Sequence, residues 1–69
     1  MAVDYESIGK RIKHYRTEKR LSQEELADVV FITGRHISNI ETGAKPPSLD
    51  LLILIANALD VSADALFVS

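Results

Sequence analysis

Apolar residues in this chain fall at helical intervals and never in the period-two alternation of a strand. Ile8, Ile12 and Tyr15 make one stripe, and Ile37 and Ile40 another. Polar residues of the capping type punctuate the pattern. Ser22, Thr33, Ser48 and Ser62 each precede a helical run, where a hydroxyl accepts from free first-turn amides, and Asp4 does the same ahead of the first stripe. Ser22 and Glu25 have the spacing of a capping box, while Leu21/Leu26, Ile32/Ile37 and Val61/Leu66 are spaced as hydrophobic staples around three caps. The pattern predicts helices over 5–19, 23–30, 34–41, 49–59 and 63–67, the fourth entered through Pro46-Pro47. Five helices with short connections give an all-α bundle forming a single domain, 1–69.

The caps at Ser22 and Thr33 lie only eleven positions apart. Two helices of about two turns joined by a short turn make a helix-turn-helix over about 22–41. At about 100° per residue, Ile37 and Ile40 of the second of these helices point one way. Arg35, Ser38 and Asn39 point the other way, with Gly34 at the margin. That outer face suits the major groove: arginine pairs bidentately with guanine, asparagine with adenine, and serine with several base edges or phosphate. Gly34 admits close backbone approach, and the helix N-terminus attracts phosphate.

Charge changes the picture only through its distribution. The net charge is −2, which by itself disfavours a polyanion partner. Yet Lys10, Arg11, Lys13, Arg16, Lys19 and Arg20 crowd one segment, and no basic residue follows Lys45. A local basic face is compatible with an acidic chain. The chain has no cysteine, so disulfides and thiolate metal sites are excluded. His14 and His36 supply too few ligands for a metal, and no cofactor is implied. His14 reads as an exposed helix position and His36 as a packing or helix-end residue at the edge of the buried face. The N-terminal residues show no apolar signal segment, and the longest apolar run, 51–56, is far short of a membrane span. The expectation is a cytoplasmic, nucleoid-associated protein with no membrane partner. A glycine-rich phosphate loop, a cysteine nucleophile and a plausible Ser-His-Asp set are all missing, so an enzyme is not expected.

The segments "LSQEELA", "ISNIETG" and "PSLDLL…IANALDVS" together resemble the helix-turn-helix domain of the phage repressor/Cro (XRE-like) family of bacterial transcriptional regulators, over residues 8–67. The resemblance implies that Gly34, Arg35, Ser38 and Asn39 face bases. It implies DNA-backbone contacts from Arg16, Ser22, Gln23, Thr33, Thr42, Gly43 and Lys45, with Gln23 alternatively reaching a base or bracing the third helix. Arg16 and Glu41 match a pair that ties the first helix to the third. The partner implied is double-stranded DNA with a pseudo-palindromic operator, and the function that of a sequence-specific regulator, a repressor or self-regulator of a small operon.

The chain also departs from the family. Arg20 and Phe31 stand where glycines commonly end the first helix and supply a left-handed turn, so either the turn differs or Phe31 offsets the strain by packing. Position 44, often basic, is alanine, and Gly34 lacks a base-reading side chain, which shifts discrimination onto Arg35 and Asn39. Leu51 and Leu54 replace residues usually polar and outward, forming an apolar stripe with Ala58. Either the C-terminal "ALFVS" folds over this stripe, or the stripe joins Ala65 and Val68 in a homodimer interface. The dimer is the favoured reading. A rival function is an antitoxin-like or antirepressor-like module gripping a protein partner through Leu51 and Leu54.

Overall fold

A computed structural model describes residues 4–67. Its five helices are α1 (Tyr5–Glu18), α2 (Gln23–Val29), α3 (Gly34–Thr42), α4 (Leu49–Ala58) and α5 (Asp64–Phe67), with no strand among the described residues. The first four start where side chains can satisfy free amides. Asp4 accepts from the amides of Glu6 and Ser7, and the Ser7 hydroxyl donates to it at 2.7 Å. These donors, the Ser7 hydroxyl foremost, hold the Asp4 carboxyl below the usual carboxylate range. Ser22 Oγ accepts from the Glu25 amide at 3.0 Å while Glu25 Oε1 accepts from the Ser22 amide at 2.8 Å, closing the capping box. Thr33 and Ser48 cap α3 and α4 with the hydroxyl alone, accepting from the amides of His36 and Leu51.

Each of these four helices is followed by a residue in the left-handed region: Arg20, Phe31, Gly43 and Asp60. After α1, the Leu21 amide donates to the Arg16 carbonyl and the Arg20 amide to that of Thr17. Ile32 and Phe31 repeat this on Ala27 and Asp28, and Val61 and Asp60 on Ala56 and Asn57. This is the Schellman pattern, which satisfies carbonyls that a helix end would otherwise leave free. Helices α1, α2 and α4 therefore stop one residue short of the ends expected at 19, 30 and 59, whereas α3 runs one further. The α2–α3 turn keeps its left-handed residue without glycine. Phe31 is 89% exposed, so packing does not offset the strain of about 1–2 kcal/mol that a non-glycine residue meets there.

Ile8 and Ile12 of α1, Leu26 and Ala27 of α2, Ile37 and Ile40 of α3, Leu52, Ile55 and Ala56 of α4 and Leu66 of α5 form one core with Val30 and Leu59. Tyr15 packs at its edge. Gly9, absent from the expected stripe, is also buried. A Cβ there would sit 2.6 Å from the Glu41 carbonyl oxygen and collide with that of Ile40, so α1 and α3 approach backbone to backbone. Helix α5 packs on α1, where Arg11 Nη1 donates to the Leu66 carbonyl at 3.2 Å.

The apolar face of α4 is rotated from the expected stripe. Leu51 and Ala58 lie half-buried against the core, because the side of α4 that meets the other helices extends to them. Of that stripe only Leu54 is exposed, and its exposed apolar companions are Leu49 and Ile53, with Phe67 on α5. Ala65 is half-buried, and Val68 lies outside the described residues. None of the described helices is long and apolar enough to cross a membrane.

Candidate nucleic-acid interface

Helix α3 is held from one side by Ile37 and Ile40, both almost wholly buried. Its opposite side borders a shallow open cleft lined by Thr33, Arg35, His36, Asn39 and Lys45. Four of these were expected at a site: Arg35 and Asn39 as base-facing residues, Thr33 and Lys45 at the two helix ends. Arg35 is exposed and Asn39 half-buried, and no described segment lies over either. Their amide and guanidinium groups are thus free to hydrogen-bond outward. His36 joins the cleft, although the sequence placed it at the margin of the buried face. The helical wheel could have found it, since positions 36 and 39 fall about 60° apart at 100° per residue.

Ser38 does not line the cleft. It shares the other flank of α3 with Gly34, about 40° away on the wheel. Gly34 itself is buried instead of marginal. The cause is Glu24 of α2, whose carboxyl carbon would lie 2.6 Å from a Cβ built at position 34.

Arg16, expected both at the DNA backbone and in a pair with Glu41, serves only the second role as placed. It is 8% exposed and Glu41 6%. Arg16 Nε donates to Glu41 Oε2 at 2.6 Å, Nη2 to Oε1 at 3.1 Å, and Nη1 to the Leu21 carbonyl at 2.7 Å. A guanidinium so occupied cannot turn to a phosphate without leaving Glu41 as a buried unpaired charge. Gln23 donates from Nε2 to Glu41 Oε1 at 3.0 Å, so it braces α3 from α2. One carboxylate thereby joins three helices and orients α3. At the end of α3, Thr42 is exposed with its hydroxyl donating to the Asn39 carbonyl, and Gly43 takes the left-handed cap. Ser22 is exposed at the start of α2.

The basic run of α1 does not make one free cationic face. Arg11 and Arg16 bond internally, and Lys10 and Lys19 meet Glu6 and Asp60 at 3.6 and 3.9 Å. Lys13 and Arg20 have no acidic partner among the described residues. The cations beside α3 are Arg35 and Lys45.

Two short helices joined through a left-handed turn, the second presenting an open polar face, define a helix-turn-helix domain. Residues 12–66 match the family profile described as "Helix-turn-helix". The SPbeta prophage-derived regulator YonR of Bacillus subtilis is 40% identical over 59 residues, covering 86% of this chain and 55% of YonR. The restriction-modification controller protein C.AhdI from Aeromonas hydrophila superposes with a TM-score of 0.88 at 34% identity, covering 93% of each chain. SinR of Bacillus subtilis, solved in complex with DNA, gives a TM-score of 0.80 at 40% identity, over 86% of this chain and 95% of the SinR chain in that structure. The chain spans about half the length of the curated relatives it matches. It belongs to the XRE/Cro-like helix-turn-helix family of transcriptional regulators.

Proposed function

We propose that this protein is a sequence-specific DNA-binding transcriptional repressor that reads the major groove with α3. The observation that carries this reading is the uncovered cleft in which Arg35 and Asn39 stand between Thr33 and Lys45. Arginine and asparagine are the side chains best matched to guanine and adenine edges. Thr33 and Lys45, with Ser22, Thr42 and Gly43 around them, are placed to hold phosphates on either side. That SinR was solved on DNA at 40% identity supports the same orientation of α3 here.

Arg35→Ala is expected to weaken binding to the selected operator by about 1–3 kcal/mol and to relax the preference at one position. Fluorescence anisotropy on selected and scrambled duplexes checks this. An equal loss on both would make Arg35 a phosphate contact and remove the main base reader.

The operator reading also calls for two copies, which we place through the exposed apolar residues Leu49, Ile53 and Leu54 of α4 with Phe67 of α5. A twofold pair would set two α3 helices about 34 Å apart, facing successive major grooves of a pseudo-palindrome. Sedimentation of the pure protein should give a dimer that Leu54→Glu dissociates. A wild-type monomer on free and operator DNA alike would instead assign this face to a different protein partner.

A further inference from the structure

Three residues open α2, and two have evident work. Gln23 bonds Glu41, and Glu25 closes the capping box. Glu24 is exposed and takes part in no ion pair among the described residues. Its carboxylate lies over Gly34, filling the volume that a side chain at the first position of α3 would take. Gly34 is the opening residue of the helix whose outer face carries Arg35 and Asn39, and Ser38 follows on its own flank. The acid thus comes from another helix to the Ser38 flank of α3, beside the reading face, where the first residue of α3 has no side chain of its own.

A carboxylate there is repelled by every phosphate near it, so on a surface for DNA it needs a compensating contact. Among groups in the major groove, the N4 amino group of cytosine is the donor that glutamate and aspartate accept from. We infer that Glu24, acting across Gly34, is a specificity-determining residue that selects cytosine at one position of each half-site. This rests on α3 lying in the major groove. It also gives the glycine at 34 a reason: a Cβ would force the Glu24 carboxyl group aside. The competing account is that Glu24 only complements the positive ends of α2 and α3. That account predicts a change in stability but none in base preference.

The test is selection of bound sequences from a random duplex pool by the wild type, Glu24→Gln, Glu24→Ala and Gly34→Ala, with thermal melting of each protein. The wild type should enrich cytosine at one position per half-site. Glu24→Ala should accept all four bases there and bind the wild-type operator about tenfold more weakly, while Glu24→Gln should move the preference towards adenine. Gly34→Ala keeps the acid but displaces it, and should lose the same preference. Positions read by Arg35 should stay as they are in all three variants. Unchanged preferences with a uniform gain of affinity on every duplex would overturn the inference and leave Glu24 a repelling charge. That result would leave the role of α3 standing, whereas a wild type that selects no sequence would remove both.

Discussion

Glu41→Ala is expected to leave the domain largely unfolded at 25 °C. The substitution strips a buried guanidinium of its carboxylate partner and deprives the Gln23 amide of its acceptor. Arg16, 8% exposed in the wild type, would keep one bond, to the Leu21 carbonyl. Removing one partner of a buried pair costs about 3–5 kcal/mol, because the other charge stays desolvated. A single core of this size supplies little more than that in total. Urea unfolding followed by circular dichroism measures the loss. Replacing both partners with apolar residues, Arg16→Met with Glu41→Leu, should return much of the stability, since neither charge is then buried. The returned protein should still bind its operator poorly if the Glu41 contacts from α1 and α2 set the angle of α3. A Glu41→Ala protein within about 1 kcal/mol of wild type would show that the network holds nothing together, against the expectation for a buried charge.

Gly9→Ala should destabilise by about 2 kcal/mol, and the sign is the informative part. In an exposed helix interior the same change stabilises by up to about 1 kcal/mol, through helix propensity. Here the added methyl meets the carbonyl oxygens of Ile40 and Glu41, which are backbone atoms of a capped helix and cannot rotate away. Either α1 and α3 must separate or the last turn of α3 must distort. Both responses disturb the Arg16–Glu41 geometry, so the loss should extend to operator binding. Equilibrium denaturation gives the sign directly. A more stable Gly9→Ala protein would mean that the two helices are free to stand further apart.

The starts of the first four helices were legible because their causes are local, whereas α5 begins at Asp64, one residue later than expected, with no cap from the Ser62 side chain. Asp4, Ser22, Thr33 and Ser48 cap amides two or three positions away, and the reach of a hydroxyl or carboxylate sets that spacing. The ends were off by one because a Schellman closure at Arg20, Phe31 or Asp60 requires a left-handed residue that its side chain does not announce. On α3, burial of Ile37 and Ile40 implied exposure of Arg35, and the structure agrees. The wheel could not show that the volume beside Gly34 is filled by Glu24 from another helix. Nor could it show that Leu51 and Ala58 lie against the core while Ile53 is exposed, because the helix as a whole is apolar and its pattern leaves the rotation of α4 undecided.

By itself the sequence determined the number and order of helices, the helix-turn-helix and the outward arginine. Each follows from residues close along the chain, within a turn for the caps and faces and about three turns for the helix-turn-helix, where geometry is set before the chain folds back. Tertiary structure decided which charges remain for a partner. Arg16 is drawn inward by an acid 25 positions away, and Arg11 by a carbonyl 55 positions away, while Arg35 and Lys45 are left beside the open cleft. Burial removes water from a charge and makes a buried partner its best alternative. Which of the chain's cations meet that fate depends on where distant segments come to rest.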